Sequence, residues 1–449
     1  MKRWTSSIVL LFLVAGRLLA GMEEQPLRSG PMVCYVDMRE AMIWAQTLYA
    51  ARVRVEYWDS TDTKRRWMTN SVETEAKSAF TAKLIADNVQ PGHTYFYEVV
   101  INNRRQPRSF PTFFRTPKQW KWRENPPDFR VALGSCVYIN EPEYDRPGKG
   151  YGDNYSIFTS IYEKKPDVML WLGDNTYLRE ADWNTRTGIL SRYSHTRNLP
   201  EMQPLLGSCA NYAIWDDHDF GPNDSDRGFW NKSTTLEAFK LFWGNPSYGF
   251  DGKPGTTTTF EYGDAQFFLL DNRYYRSPNK RKTGDRRILG KEQLEWLIDN
   301  LATSTATFKI IAIGGQVLNP VAKYENYTNY PEELNELLTA IERENISGVM
   351  FVSGDRHHTE LTKLNRTGTY PLYDLTSSPL TSSSHADDGE QNTWRVPGTL
   401  VNERNFSVLH FTGNGAERAV VISDYTVTGK EVWKQVIKAS ELQSGKSTK

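Results

Sequence analysis

The sequence predicts an α/β domain that follows a smaller all-β domain. From Phe129 onward, short apolar runs alternate with helical stretches, which is the pattern of β-α units. Before residue 117, strand-like runs rich in β-branched and aromatic residues recur at short intervals. The 449 residues are enough for two cores, and the 14 Trp, 23 Tyr and 20 Phe argue against a disordered chain.

Charge and cysteine content exclude several classes of protein. The chain has 54 basic and 54 acidic side chains, so it offers no excess of positive charge for nucleic acid or for an anionic membrane. Three cysteines cannot form a disulfide scaffold, and stability must come from buried cores. Cys34 and Cys209 would be either two buried thiols or one disulfide. We expect no nucleic-acid partner.

The first 21 residues have the pattern of a secretory signal. Lys2 and Arg3 precede an apolar run over residues 8–15, and small residues follow at Ala20 and Gly21. The run is too short to span a bilayer, and we expect no membrane span in the mature chain. Cleavage after Ala20 removes three basic residues and no acidic one, which leaves a slightly acidic protein. We therefore expect export to the periplasm, the cell surface or the extracellular space.

The all-β domain is predicted over residues 28–116 as a β-sandwich. Strands are expected over residues 41–48, 51–58 and 95–101, with turns at Pro91-Gly92 and Asn102-Asn103. A polar, Pro-rich stretch over residues 117–127 is expected to be a linker.

The α/β domain is predicted over residues 128–440. Its strands are expected over residues 129–133, 167–172, 212–215, 267–270, 308–313 and 349–352, with further strands over 406–411 and 418–423. Its helices are expected over residues 155–164, 184–197, 232–243, 290–301 and 331–344. Pro331 at the first turn and two acids beside it favour the start of the last helix.

Polar clusters follow six of these strands. They are Gly134-Ser-Cys136, Gly173-Asp174-Asn-Thr-Tyr177, Trp215-Asp-Asp-His-Asp219, Asp271-Asn-Arg273, Gly314-Gly-Gln316 and Gly354-Asp355-Arg-His-His358. The carboxyl ends of strands in an α/β sheet meet at one crevice, where ligands bind. We therefore expect these six segments to form one site.

The residue types in these clusters point to metal chemistry. Asp174, Asp217, Asp355 and His357 suffice for two metal ions if one carboxylate bridges them. Two metals about 3.5–4 Å apart can clamp a phosphate ester and activate a hydroxide that attacks phosphorus. His218 would protonate the leaving oxygen, and its acidic neighbours are expected to favour the protonated imidazole. Taken singly, each residue also has a plain structural reading, as a turn, a solvated acid or a core histidine.

The motifs resemble those of PhoD-like alkaline phosphatases, and they occur in the same order over residues 128–415. The resemblance implies a four-layer α/β/β/α metallophosphatase sandwich and a phosphomonoesterase or phosphodiesterase with two or more metal ions. The segment Val89-Gln-Pro-Gly-His-Thr-Tyr-Phe-Tyr-Glu98 resembles fibronectin type III-like domains that precede many metallophosphatase domains.

The resemblance also implies roles for single residues. Asp174 is similar to the bridging carboxylate, Tyr177 to the phenolate that binds ferric iron, and Cys136 to a thiolate ligand. The remaining metal ligands it implies are Asp217, Asp355 and His357. His218 is similar to the leaving-group histidine, and Arg273 and Arg356 are expected to contact the phosphate.

Several assignments stay open at this stage. Asn223 would be either a metal ligand or a turn residue, and Gln316 is expected to hydrogen-bond water or substrate. Fe³⁺ and Ca²⁺ are favoured by the resemblance, with Zn²⁺, Mn²⁺ and Co²⁺ as alternatives. The segment 376–388 would be a rim loop, a lid or a plain solvated loop.

The function also has alternatives. The same site would suit a phosphodiesterase or a phospholipase C-like enzyme. A protein of another class, a non-catalytic binding module with a vestigial metal site, would share the motifs.

Overall fold

A computed structural model describes residues 26–385 and 389–444. The predicted signal over residues 1–21 lies outside the described residues, as does part of the segment 376–388.

Two antiparallel sheets form the N-terminal region. Its strands are β1 Leu27–Val36, β2 Ala41–Thr47, β3 Arg52–Asp59, β4 Trp67–Met68, β5 Val72–Glu73, β6 Thr81–Ala86, β7 Thr94–Ile101, β8 Arg104–Gln106 and β9 Phe113–Arg115. One sheet has the order β1-β2-β6, and the other has the order β4-β3-β7-β8 with β5 beside β3 and β9 beside β7. Ile43 and Leu84 of the first sheet share a buried core with Val55 and Tyr97 of the second. The predicted all-β sandwich is confirmed.

The rest of the chain alternates strands and helices. The strands are β10 Phe129–Gly134, β11 Val168–Leu172, β12 Ala210–Ile214, β13 Thr258–Tyr262, β14 Ala265–Leu269, β15 Phe308–Ala312, β16 Val349–Ser353, β17 Glu360–Leu364, β18 Leu372–Thr376, β19 Asn405–Thr412, β20 Ala419–Thr426 and β21 Glu431–Lys438. The helices are α1 Ile157–Glu163, α2 Arg186–Arg197, α3 Gln203–Leu206, α4 Asp217–Phe220, α5 Lys232–Phe242, α6 Lys291–Thr303 and α7 Pro331–Arg343. Within residues 26–385 and 389–444, no helix is long and apolar enough to cross a membrane.

These strands build two mixed sheets of six strands. The first has the order β12-β11-β10-β19-β20-β21 and the second β13-β14-β15-β16-β18-β17. Strands β10, β11 and β12 run parallel, as do β14, β15, β16 and β18. The polar segments that follow these parallel strands therefore reach the same edge of each sheet.

The two sheets pack face to face between layers of helices. The rings of Tyr212 and Phe260, one from each sheet, stack with centroids 3.6 Å apart. On the outer side of the first sheet, Ala132 and Trp171 share a core with residues of α1, α2 and α5. Helices α6 and α7 bury Leu297 and Ile341 beside the second sheet. The expected α/β/β/α arrangement is confirmed.

The N-terminal sheets pack against the helix layer of the first mixed sheet. Trp44 Nε1 donates to the Leu241 carbonyl at 2.9 Å, and the Trp44 ring lies 5.8 Å from that of Phe242. Asn211 Nδ2 donates to the Val33 carbonyl at 2.9 Å. All three cysteines, at positions 34, 136 and 209, are buried free thiols. Of the two readings for Cys34 and Cys209, the structure therefore supports buried thiols.

Candidate active site

Backbone strain marks the ends of the parallel strands at the crevice. Cys136, Asp174, Asp355 and His357 all have positive φ angles, at 61°, 51°, 68° and 56°. Residues other than glycine rarely adopt this left-handed conformation, and such strain is concentrated at functional sites. Each of these side chains is predicted to bind metal. Asp174, Asp355 and His357 line one cavity, and Cys136 is buried beside Asp174.

Cys136, Asp174, Tyr177 and His357 form the first candidate ligand group. Cys136 Sγ lies 3.6 Å from Asp174 Oδ2, and the Tyr177 hydroxyl donates to the same carboxylate oxygen at 3.2 Å. The Tyr177 hydroxyl also lies 3.2 Å from His357 Nε2. Ligand atoms of Cys136, Asp174 and His357 all fall within 4.8 Å of one another, close enough for one metal ion.

The first group is almost completely removed from water. Burial, followed by the nearby charge of Asp174, raises the pKa of the Cys136 thiol and of the Tyr177 phenol well above their ordinary values. Burial and the neighbouring carboxylates, with Asp217 the largest, raise the pKa of Asp174 as well. A bound cation would remove this penalty, because it favours the ionised form of each group.

Acidic side chains form a second ligand group beside the first. Oxygens of Asp216, Asp217 and Asp355 lie within 4.8 Å of one another, and a further set joins Asp217 to Asp224 and Glu325. Asp216 Oδ2 and Asp217 Oδ1 are buried without a hydrogen-bond partner among the described residues. Buried carboxylate oxygens that lack a hydrogen bond in this way fit a cation, which would supply the missing interaction.

Two acids of this second group, Asp355 and Asp217, have pKa values shifted in opposite directions. Burial, then the charges of Asp216 and Glu325, raise the pKa of Asp355 well above its ordinary value. Burial also acts to raise the pKa of Asp217, but His218 and Arg273 outweigh it and hold that pKa below its usual range. Asp174 belongs to both ligand groups through its contacts with Asp217, which suits a bridging position.

His218 lies between the two groups. Its backbone N–H donates to Asp174 Oδ1 at 3.2 Å, and its ring stacks on that of Tyr177. Its pKa is lowered, because burial outweighs the opposing effect of Asp217. Asp217 does favour the protonated imidazole, as expected, but desolvation is the larger effect and the net shift of the pKa is downward.

The expected contact between Arg273 and phosphate disagrees with the geometry. Arg273 is fully buried, its Nε donates to Asp216, and its Nη2 donates to Glu325. Its Nη1 donates to the Ser225 carbonyl at 3.1 Å. All three guanidinium nitrogens therefore donate hydrogen bonds within the protein. Arg273 bridges Asp216 and Glu325 of the acidic group.

Gln316 is likewise committed to protein contacts. Its Nε2 donates to Glu360 and Thr376 at 2.8 Å each, and its Oε1 accepts from Arg356. The expected contact of Gln316 with substrate or water is therefore not available, and the residue orients Arg356 instead. Arg356 also pairs with Glu390.

A cavity of about 390 Å³ opens to solvent beside the two candidate ligand groups. Its wall contains members of both ligand groups together with flanking residues, namely Tyr151, Asp174, Asp217, His218, Asn223, Asp224, Tyr324, Glu325, Asp355, Arg356, His357, His358 and His385. Asn223 is exposed on this wall, next to Asp224. Arg356 and Asn223 therefore reach the cavity, whereas Arg273 and Gln316 do not line it.

The loop after β18 is built into the site. Ser378 Oγ donates to Cys136 Sγ at 3.2 Å, and the Ser383 carbonyl lies 2.5 Å from His357 Nδ1. The Tyr151 hydroxyl lies 3.2 Å from the same His357 nitrogen. A plain solvated loop is therefore the wrong reading for its described part. Sequence reasoning assigned no role to Tyr151, Glu325 or His385, since none follows a predicted strand.

Matched against known families, residues 131–421 fit that of the PhoD-like phosphatases. The chain belongs to this family. Residues 24–114 match a second family, a domain of unknown function named DUF7800.

Two curated proteins are similar to the chain. It is 22% identical to alkaline phosphatase D of Bacillus subtilis over 329 residues, which is 62% of this chain and 54% of that protein. It is 25% identical to the mouse acid sphingomyelinase-like phosphodiesterase 3b over 246 residues, 50% of this chain and 49% of that protein. The chain thus spans about half the length of the curated relatives that it matches.

Solved structures share the fold of this family member. A structure of PhoD superposes with a TM-score of 0.74 at 17% identity and covers 95% of this chain and 93% of its own. A purple acid phosphatase from yellow lupin (Lupinus luteus) seeds gives a TM-score of 0.68 at 12% identity, over 91% of this chain and 74% of its own. Both confirm the metallophosphatase fold.

Proposed function

We propose that this chain is a metal-dependent phosphoesterase that hydrolyses phosphate monoesters, diesters or both. The observation that carries the proposal is the convergence of two ligand groups on one cavity of about 390 Å³. Two of the buried carboxylate oxygens have no hydrogen-bond partner among the described residues. Membership of the PhoD-like phosphatase family supports the same reaction class.

The two groups would hold different cations. Cys136, Asp174, Tyr177 and His357 offer a thiolate, a phenolate, a carboxylate and an imidazole, which suit Fe³⁺. Carboxylates dominate the second group, which suits Ca²⁺, with Zn²⁺, Mn²⁺ or Co²⁺ as alternatives. Cations bound there lower the pKa of water and offset charge on phosphate oxygens.

The remaining residues would position the ester and its leaving group. His218 lies on the cavity wall beside Asp174, where its imidazole would donate a hydrogen bond or proton to the leaving oxygen. Arg356 lies on the same wall and would face the phosphate, with its guanidinium oriented by Gln316 and Glu390. Asn223 would add a carbonyl ligand from the cavity mouth.

We also propose that the protein is exported. The proposal rests on the basic residues, apolar run and small residues within positions 1–21. Determination of the N-terminus of the protein recovered from the culture medium or periplasm tests it. A cytoplasmic protein with an intact N-terminus would contradict export.

The central experiment combines metal analysis with hydrolysis assays. The purified protein should contain at least one metal ion per chain and hydrolyse 4-nitrophenyl phosphate or bis(4-nitrophenyl) phosphate. Asp174→Ala and His357→Ala should abolish both activities, whereas Asp62→Ala on the exposed surface of the N-terminal region should not. Activity that survives both site substitutions would refute the proposal. Less than one metal per chain, with no activity after metal addition, would favour a non-catalytic binding module.

A further inference from the structure

A second cavity of about 670 Å³ opens next to the metal-binding cavity. Tyr151, His218 and Asn223 line both cavities, so the two cavities adjoin. Pockets that hold small molecules typically measure about 300–1,000 Å³. The second cavity is therefore large enough for an organic group that is attached to a phosphate in the first.

Aromatic and other apolar side chains make up half of the residues that line this second cavity. They are Tyr138, Tyr151, Tyr177, Trp183, Leu178, Pro147 and Pro222. The ring of Tyr138 lies 5.0 Å, centroid to centroid, from those of Tyr151 and Tyr177. Such a wall favours a flat apolar or aromatic group, because aromatic rings gain from stacking beyond the area that they bury.

Trp183 offers a ring surface within this wall. Its indole Nε1–H donates to the Leu178 carbonyl at 3.1 Å, so its polar atom is satisfied inside the protein. The side chain is only half-buried. A ligand that stacks on Trp183 therefore gains apolar contact without breaking a hydrogen bond.

Arg179, which lines the cavity, is held by several contacts. The buried Arg179 guanidinium lies 3.9 Å from the centroid of the Tyr138 ring. Arg179 Nη2 also donates to Asp145 Oδ1 and to the Ile139 carbonyl, at 2.8 Å each. A wall held in this way is preformed, which lowers the entropy cost of binding.

Most of the exposed residues that line the cavity are polar, and two of them have basic side chains. Arg146 and Lys149 line it together with Glu180, and all three are exposed. The ion pair of Arg146 with Glu180 at 3.1 Å is solvated and therefore weak. The far end of a bound group would thus meet water and mobile charged side chains, whereas its near end meets aromatic rings.

We propose that the second cavity binds the alcohol released from the phosphate ester, and that the substrates are esters of bulky alcohols with a flat aromatic portion. This inference rests on the proposed phosphoesterase activity. In the hydrolysis, an oxygen from water bonds to phosphorus, the ester P–O bond breaks, and the leaving oxygen takes a proton. His218 lines both cavities, so a leaving oxygen beside His218 directs its organic group into the second cavity.

A pair of aryl esters tests the inference. Phenyl phosphate and 2-naphthyl phosphate have similar leaving groups that differ by one fused ring. The wild-type protein should have a higher kcat/KM for 2-naphthyl phosphate. Trp183→Ala should lower the kcat/KM for 2-naphthyl phosphate relative to that for phenyl phosphate about tenfold. An apolar pocket discriminates by about this factor between two substrates that differ by a small apolar group.

Two further substitutions at Trp183 and a matched control complete the experiment. Trp183→Phe should keep most of the preference for the naphthyl ester, and Trp183→Leu should lose most of it. Trp122→Ala removes a tryptophan that is 96% exposed and should leave the ratio unchanged. Since Phe and Leu both retain apolar bulk, these two variants decide the outcome if Trp183→Ala does not fold.

The outcomes separate this inference from the proposed function. If phenyl phosphate is hydrolysed but the ratio is the same in wild type, Trp183→Leu and Trp183→Phe, the leaving-group cavity is refuted and the phosphoesterase activity stands. If the metal-loaded wild type hydrolyses neither ester nor any diester, the proposed function itself fails. A wild type without preference for the naphthyl ester also overturns the inference.

Discussion

The imidazole ring of His218 stacks on the phenol ring of Tyr177, with the two ring centroids 4.1 Å apart. Tyr177 in turn donates to Asp174, which also accepts the backbone N–H of His218. The side chain expected to serve the leaving group is therefore fixed relative to the first ligand group. Positioning of this kind is what acid catalysis requires, because proton transfer depends on geometry first.

Loss of His218 should slow the hydrolysis of esters with poor leaving groups more than that of esters with good leaving groups. His218→Ala should reduce kcat/KM for phenyl phosphate by about 10²–10⁴-fold, the usual range for general acid catalysis. The loss for 4-nitrophenyl phosphate should be much smaller, because its leaving group needs little help from an acid. Steady-state kinetics with both esters measure the difference.

His410→Ala is the matched control, since His410 lies on strand β19 outside the cavity. Equal losses for the two esters in His218→Ala would assign His218 to metal binding or structure instead. The same kinetic data therefore distinguish two roles for one residue.

Removal of metal should destabilise the protein, because the site leaves buried acids facing one another. Burial and neighbouring carboxylates raise the pKa values of Asp174 and Asp355. At a metal concentration 100 times its Kd, binding adds about 2.7 kcal/mol to the free energy of unfolding. Treatment with a chelator should therefore lower the melting temperature by several degrees, as measured by calorimetry.

Asp174→Asn should remove most of this metal dependence. The variant loses the proposed ligand shared by both groups, and its chelated form should be at least as stable as the chelated wild type, since one buried charge is gone. A melting temperature that responds to chelator equally in wild type and variant would contradict the assignment of Asp174.

The sequence predicted the site best where the candidate ligands directly follow a predicted strand. Each of the six predicted strands between residues 129 and 352 is present, and candidate ligands such as Cys136 and Asp355 follow these strands directly. Alternation of apolar runs with helical segments is a local signal, and the convergence of strand ends follows from sheet topology. These two rules were enough to bring Asp174, Asp217 and His357 together.

The sequence was least informative about pairing between distant segments. Glu325 lies in a loop without periodic pattern, and its contact with Arg273 exists only because the second sheet brings them together. Gln316 follows a strand as predicted, but its amide is bound by Glu360 and Thr376, which come from β17 and β18. Neither strand was expected. The family resemblance and the chemistry of the guanidinium group suggested a phosphate contact for Arg273, and only the tertiary structure reveals its partners.

Arg273 should therefore contribute to stability. Arg273→Met removes the buried cation beside Asp216, leaves Glu325 paired with Arg276, and should lower the free energy of unfolding by about 3–5 kcal/mol. Urea denaturation of the metal-loaded protein measures the change. Arg281→Met, at an exposed position of a nearby segment, is the control.

A phosphate-binding role for Arg273 would give a different result. The variant would then retain its stability while the KM for a phosphate ester rises. That outcome would show that the guanidinium leaves its carboxylate partners when substrate binds.

Glu360 should make stability depend on pH below 4.5. Burial acts to raise its pKa, but His358 and Arg395 outweigh this effect and lower the pKa to about 2, from an ordinary value of 4.5. A carboxyl with a depressed pKa stabilises the fold above the unfolded-state pKa and loses that contribution as the pH falls toward the folded-state value. The contribution at pH 7 is about 3 kcal/mol.

Glu360→Gln should therefore be less stable than the wild type at pH 7 by about 3 kcal/mol, and the gap should shrink as the pH falls from 4.5 to 2. Chemical denaturation at a series of pH values measures this difference directly. Glu332→Gln, at an exposed position on α7, should show no such trend. Because Gln cannot ionise, a gap that is constant across the pH range would mean that the variant acts through lost packing or hydrogen bonds, and that the depressed pKa of Glu360 contributes nothing.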